Sequence, residues 1–207
     1  TYPVLFLSFA AVKADQLSEV KKQINMQIAR LYEEHRYLLD GNLLSENEKA
    51  MYRNVSMYME DAESSFSINL LCQYLYRYYG KKVIVLLDEY DTPFMSANSE
   101  GYYDEVRAML NRFLATSLKG NDYLQKAILT GIQRIAKENI FSGLNNLVVC
   151  TVQDEDYDDC FGFTEQEVKE LLAYCKAEFS DELKKMYDGY HFGSTDVYNP
   201  CLLYTSD

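Results

Sequence analysis

The sequence lacks an excess of basic residues and any long apolar run. Lys and Arg total 20 against 32 Asp and Glu, which gives a formal net charge of −12. Such a surface repels nucleic-acid phosphates and anionic lipid, and no cluster of basic residues offsets it. No apolar run is long enough to span a bilayer. We therefore expect no direct nucleic-acid site and no membrane partner.

Cysteine, proline and glycine are also scarce. The five cysteines form no C-x-x-C pair, and their odd number cannot all be paired within the chain. This pattern excludes a disulfide framework and favours reduced thiols in the cytoplasm. With only three prolines and nine glycines, the sequence has no Pro/Gly/Ser-rich linker that would separate independent domains.

What is present is a large apolar fraction in a regular order. The chain has 207 residues, of which 48% are hydrophobic, enough to bury a core in one domain with a small appendage. Short apolar runs typical of buried strands alternate with stretches of helical periodicity. The alternation predicts an α/β layered sheet. The predicted strands are residues 4–9, 82–87, 127–131 and 147–152.

Local signals mark the predicted helix ends. An amphipathic helix begins near Leu17 and continues to a stop at Gly41, and another helix ends at Gly80. Ser45 and Thr164 are each followed three residues later by Glu, which is the pattern of a capping box at a helix start. Helices therefore fill the gaps between the strands.

One strand ends in two carboxylates. Residues 83–87 are apolar and lead directly into Asp88 and Glu89. Ligands of open parallel sheets bind beyond the carboxyl ends of the strands, and nucleotide hydrolysis needs one carboxylate for Mg²⁺ and one to polarise water. Asp88 suits the metal role and Glu89 the role of base. The alternative is that the two acids only return the chain to solvent.

Three further residues could contribute to the same site. Thr130 follows the third predicted strand, where a polar residue could sense a terminal phosphate and so bind the cofactor. Arg134 could neutralise charge in the transition state, or it could be an ordinary surface arginine. Asp91 could orient a metal or nucleotide, although an Asx-type turn leading into Pro93 is the favoured interpretation.

Five strings follow one another along the chain: VIVLLDEYDTP (83–93), LTGIQRIAKE (129–138), IFSGLNN (140–146), FGFTE (161–165) and YDGYHFG (187–193). In their residues, order and spacing they resemble the bacterial AAA-ATPase-like domain family. The resemblance extends from about residue 2 to residue 200.

The resemblance implies a P-loop NTPase-type three-layer fold with a mostly parallel sheet, in a parent protein that binds and hydrolyses Mg-ATP. It implies that Asp88 and Glu89 are the Walker B pair and that Arg134 senses the nucleotide. Members often carry a PD-(D/E)XK nuclease-like domain after the ATPase. The expected partners are therefore ATP, such a linked domain and further copies of the chain.

The sequence departs from the family at two places. It contains no Gly-Lys-Ser or Gly-Lys-Thr string, so we expect the phosphate-binding loop and its strand to lie upstream of Thr1 and this chain alone to be inactive. The missing strand would leave a gap between the third and fourth predicted strands. Residues 201–207 do not resemble the family continuation and are interpreted as a non-native tail.

These observations predict three segments and leave other functions open. Residues 1–152 are interpreted as a partial ATPase-like core and residues 153–200 as a small C-terminal helical part. An alternative to ATP hydrolysis is a nucleotide-dependent binding or regulatory module for the linked nuclease-like domain. A third hypothesis, a nuclease metal site at Asp88, Glu89 and Asp91, lacks the expected Glu/Asp-x-Lys partner strand.

Overall fold

A computed structural model describes residues 1–132 and 147–199 of the chain. The chain divides into two compact units, Thr1–Asn146 and Leu147–Asp207. The division follows Asn146, whereas the sequence pattern placed it after residue 152. Arg134 and the predicted non-native tail at 201–207 lie outside the described residues.

The first unit is an α/β structure built on a parallel sheet of three strands in the order β1-β2-β3. Helices connect successive strands, as the alternating sequence pattern predicted. In chain order the elements are β1 (Val4–Ser8), α1 (Leu17–Glu34), α2 (Glu46–Asn54), α3 (Asp61–Tyr79), β2 (Val83–Asp88), α4 (Thr92–Glu100), α5 (Tyr103–Leu118) and β3 (Leu124–Leu129).

One face of this sheet packs on helices and forms the core. Leu5 and Leu7 of β1 alternate with exposed residues and are buried together with Val85 and Leu87 of β2. They join one apolar cluster with buried residues of α1, α3 and α5. Burial of this face is the main apolar contribution to the stability of the unit.

The opposite face of the sheet is open. Val4 and Phe6 are 46% and 56% exposed, and Ile128 of β3 is 45% exposed. Phe6 lies in register with Leu86, and Leu86 with Ile128, so these side chains form a continuous row. The described residues therefore form two of the three predicted layers, one of helices and one of strands.

Local sequence signals placed most helix ends correctly. Ser45 forms the predicted capping box with Glu48, and Gly80 ends α3 in the left-handed conformation with φ 65°. The helix predicted to continue to Gly41 instead ends at Glu34 and is followed by a 3₁₀ turn at Arg36–Leu39. The amide of His35 is shared between the carbonyls of Leu31 and Tyr32, which tightens the last turn.

The second unit contains strands as well as helices, which corrects the prediction of a helical C-terminal part. An antiparallel sheet in the order β4-β6-β5 accompanies two helices. Gly193, at φ 50°, makes the turn between β5 and β6 at the end of the YDGYHFG string. The capping box at Thr164 is confirmed. The elements are β4 (Phe163–Thr164), α6 (Glu165–Tyr174), α7 (Asp181–Tyr187), β5 (Asp188–Phe192) and β6 (Thr195–Tyr198).

The prediction of a fourth strand at residues 147–152 is wrong. This run has no strand structure, and Val148 and Val152 are largely exposed. An apolar run becomes a strand only when a neighbour accepts and donates its ladder hydrogen bonds, and none does so within the described ranges. In the same ranges, no helix combines the length and apolar character needed to cross a membrane.

Candidate functional site

Three polar side chains meet at the carboxyl end of the parallel sheet. Ser8 Oγ donates a hydrogen bond to Asp88 Oδ2 at 3.3 Å, and Thr130 Oγ1 donates to Asp88 Oδ1 at 2.6 Å. Each oxygen of the Asp88 carboxylate is therefore held by a hydroxyl from a neighbouring strand end. We call Ser8, Asp88 and Thr130 the carboxyl-end trio.

The strand register brings the trio together. Ser8 is paired with Asp88 in the parallel ladder, and Leu87 is paired with the residue that precedes Thr130. The ladder continues past the strand ends, because the Thr130 amide donates to the Leu87 carbonyl at 2.9 Å and the Phe9 amide donates to the Asp88 carbonyl at 2.9 Å. The period of two along each strand places the trio on the open face of the sheet.

Glu89 has a backbone conformation that is rare for its residue type. Its φ is 50°, in the left-handed region that favours glycine. Its side chain is held by Thr92, whose Oγ1 donates to Glu89 Oε2 at 2.9 Å. A non-glycine residue in such a conformation costs about 1–3 kcal/mol and is characteristic of functional sites. The conformation turns the chain sharply between Asp88 and α4.

Asp91 points to the turn after β3 instead of capping α4. Its carboxylate is buried, makes no cap bond to the helix, and accepts a hydrogen bond from the Ile132 amide at 2.9 Å. The favoured interpretation of an Asx-type turn into Pro93 is therefore wrong, since proline has no N–H for the Asp91 side chain to accept from. α4 begins at Thr92, where the sequence pattern had indicated only a turn.

The oxygen atoms of the trio are of the kind that Mg²⁺ binds. Carboxylate and hydroxyl oxygens are hard ligands, and Mg²⁺ commonly uses one or two carboxylates while keeping several of its waters. Within the part of the chain that the structure describes, no three His, Cys, Asp or Glu side chains form a ready metal cluster. One carboxylate flanked by two hydroxyls fits a metal that is held mainly through water and phosphate oxygens.

The predicted site residues are placed as follows. Asp88 and Thr130 are in direct contact, and Glu89 is adjacent to them with its carboxylate on Thr92. Arg134 cannot be located, because it lies outside the described residues. Ser8 was missed, although it is the polar residue that ends the first apolar strand and so occupies the same edge as Asp88.

A groove lies between α2 and α3, away from the carboxyl-end trio. It has a volume of about 430 Å³, and six of its twelve lining residues are aromatic residues or methionines. Its one charged lining residue is Glu63, and neither Asp88, Glu89 nor Thr130 contributes to it. The groove is therefore separate from the predicted site residues.

The sequence is similar to a known family and to a curated protein. The profile of the AAA-ATPase-like family, described as "Predicted AAA-ATPase", matches residues 1–141. A curated relative, "Uncharacterized protein in vnfD 5'region" of Azotobacter chroococcum mcd 1, is 32% identical over 123 residues, which is 58% of this chain and 24% of that protein. The chain thus spans about a quarter of the length of this relative. No solved structure matches the chain significantly.

Proposed function

The chain belongs to the AAA-ATPase-like family, since the profile covers residues 1–141 of 207, and from that premise we propose that Asp88 and Glu89 form the metal- and water-binding half of an ATP-hydrolysing site. The observation that carries the proposal is the carboxyl-end trio. A carboxylate on the central strand, oriented by hydroxyls from both neighbours, stands where ligands of parallel sheets bind.

The proposed role of Asp88 is to hold Mg²⁺, through metal-bound water. When bound, the ion neutralises the charge that develops on the phosphates. Ser8 and Thr130 fix both oxygens of the carboxylate, so that little reorientation is needed when the nucleotide arrives. Thr130 also stands close enough to this carboxylate to sense a terminal phosphate bound to the same metal.

The proposed role of Glu89 is that of general base. Its Oε2 accepts from Thr92, so Oε1 is the atom that we expect to take the proton from the attacking water. The strained backbone at Glu89 supports this role, because a glycine would fit the turn at lower cost but would supply no carboxylate. Arg134 is proposed to neutralise transition-state charge, two residues beyond the turn that Asp91 contacts.

The rest of the parent protein's activity is also a proposal. The family is one of predicted ATPases, so ATP and Mg²⁺ are the proposed ligands. A linked nuclease-like domain, as the family resemblance implies, and assembly into oligomers are proposed as partners. No Gly-Lys-Ser or Gly-Lys-Thr string is present among the 207 residues, so the test must use the full-length protein.

The test compares ATP turnover by the full-length protein and its Glu89→Gln variant. We expect turnover to fall about 100-fold or more, the usual contribution of a positioned general base, while ATP affinity changes little. Glu105→Gln, which removes an exposed carboxylate in the first turn of α5, is the matched control and should leave turnover unchanged. Equal turnover in wild type and Glu89→Gln would reject Glu89 as the base. ATP binding without turnover in the wild type would favour the regulatory module instead.

A further inference from the structure

Asp91 is a buried carboxylate with no part in the proposed metal and base pair. Only 1% of the residue is exposed. Burying a charged group is costly unless hydrogen-bond donors replace water around it. A buried aspartate next to a proposed catalytic pair therefore calls for a specific partner.

The partner is the turn that follows β3. Asp91 Oδ2 accepts from the Ile132 amide at 2.9 Å. Gly131 packs so closely that a Cβ there would lie 2.7 Å from Asp91 Oδ1 and 2.8 Å from Cε1 of Tyr90. Distances this short leave no room for any other residue at 131 unless the turn or the Asp91 and Tyr90 side chains shift. Asp91 and Tyr90 thus hold the turn by a hydrogen bond and by close packing.

The residue that touches Asp88 comes directly before this contact and is held by backbone hydrogen bonds. The Thr130 carbonyl accepts from the Tyr90 amide at 3.1 Å, and the Thr130 amide donates to the Leu87 carbonyl at 2.9 Å. Its hydroxyl is 2.6 Å from Asp88 Oδ1. The backbone of Thr130 is therefore tied to the turn after β2, and the next two residues are tied to Asp91.

We propose that Asp91 is a positioning residue that clamps the turn after β3 to the turn after β2 and thereby holds the Thr130 hydroxyl against the Asp88 carboxylate. The clamp itself stands on the geometry of the two turns, whereas its effect on catalysis rests on the proposed function. Asp91 touches neither water nor nucleotide in this role and acts through Thr130.

The first part of the test measures the clamp without reference to ATP. Hydrogen–deuterium exchange of the full-length protein, read on peptides that span residues 129–132, is compared between wild type, Asp91→Leu and Asp91→Asn. In Asp91→Leu we expect exchange in the turn to rise at least about tenfold, the lower end of the contribution of a hydrogen bond to a charged group. Asp91→Asn keeps an oxygen acceptor of the same size and should show a smaller rise.

A matched control separates the clamp from general loosening. Asn121 is a buried polar residue before β3 whose Oδ1 accepts from the Tyr123 amide at 3.1 Å. Asn121→Leu removes the same kind of contact at the other end of the strand. It should raise exchange near residues 121–124 and leave residues 129–132 unchanged. Equal exchange of residues 129–132 in wild type and Asp91→Leu would overturn the clamp, whether or not the protein hydrolyses ATP.

The second part of the test asks whether Asp91 acts through Thr130. A double-mutant cycle combines Asp91→Leu with Thr130→Val and measures kcat and KM for ATP. We expect kcat to fall about tenfold in each single variant and little further in the double variant, with KM changed less than about threefold. If the kcat losses of the two single variants multiply in the double variant, Asp91 does not act through Thr130. If wild type and Glu89→Gln turn over ATP equally, the proposed function fails, and the exchange experiment still decides the clamp.

Discussion

The two faces of the parallel sheet are made by the same strands but differ in what covers them. Leu5 and Leu7 are buried among helices, whereas Val4 and Phe6, which alternate with them, are about half exposed. A face that is merely solvent-exposed is normally polar, while strands covered on both faces are apolar throughout. On β1 and β2 the open face is as apolar as a covered face, whereas β3 also carries the exposed Lys126 there, in register with Ile84.

The open face also carries the candidate site. On this face, Ser8 comes next after Phe6 along β1, and Asp88 comes next after Leu86 along β2. Thr130 follows Ile128 in the same way beyond the end of β3. The covered face therefore supplies the packing that holds the strands in register. The open face presents mostly apolar side chains along its strands and the carboxyl-end trio at its rim. Residues that stabilise the fold therefore lie on the covered face, and residues proposed to bind metal and nucleotide lie on the open face.

The largest difference between the faces is expected in stability. Leu7→Ala removes a side chain that is 2% exposed, and Phe6→Ala removes a larger one from the open face. We expect Leu7→Ala to lower the free energy of unfolding by about 2–5 kcal/mol, because it leaves a cavity in the core. Phe6→Ala should cost less than about 1 kcal/mol, since it removes mostly exposed surface.

Urea denaturation of the 207-residue chain, followed by circular dichroism, measures both values. Residues 6 and 7 are adjacent on β1, so their distance from the strand ends contributes little to the difference between the two free energies. If Phe6→Ala lowers the free energy of unfolding as much as Leu7→Ala does, the open face is packed in solution and the two faces do not differ.

A smaller effect is expected on self-association. An apolar sheet face tends to bury itself against another surface, and an added charge on that face opposes this. We expect Phe6→Lys to weaken self-association of the 207-residue chain, as measured by sedimentation velocity. Phe66→Lys is the matched control, because Phe66 is 57% exposed but lies on α3. An equal effect of both variants would show that the open face contributes no more to self-association than the exposed surface of α3.

Signals that act within a few residues were predictable from the sequence. A capping box needs only Ser45 and Glu48, and a left-handed helix end needs only Gly80, so both were predicted and found. The apolar strand that ends at Asp88 was also predicted, because a continuous apolar run leads directly into that residue. The sheet order β1-β2-β3 places the predicted Asp88 and Thr130 side by side.

Contacts between distant residues were not predictable in the same way. The run at 147–152 is apolar enough for a strand, but a strand needs a partner that its own sequence does not specify. Ser8 contacts Asp88 across 80 positions, and Asp91 contacts Ile132 across 41. Local patterns around Asp91 indicated a turn, and the tertiary contact with Ile132 decided its actual role.

The smallest expected effect concerns a charged contact in the helical layer that covers the sheet. Arg77 of α3 donates to the Glu48 carboxylate at 2.6 Å and, with the Ser45 amide, holds the pKa of Glu48 at about 2. A folded-state pKa below the unfolded value of about 4.3 stabilises the fold above that pH, and this contribution is lost as the pH falls towards 2. The pair is partly exposed, so we expect only about 1 kcal/mol.

Urea denaturation at pH 7, 4 and 2.5 tests this contribution in Glu48→Gln, with Glu46→Gln as control. Glu46 lies in the same first turn of α2, but its side chain is 83% exposed where it pairs with Lys49. Glu48→Gln should be less stable than wild type at pH 7 and should approach it at pH 2.5, whereas Glu46→Gln should follow wild type throughout. A loss at pH 7 as large as that of Leu7→Ala would mean that the covered face depends on charge pairing as much as on apolar burial.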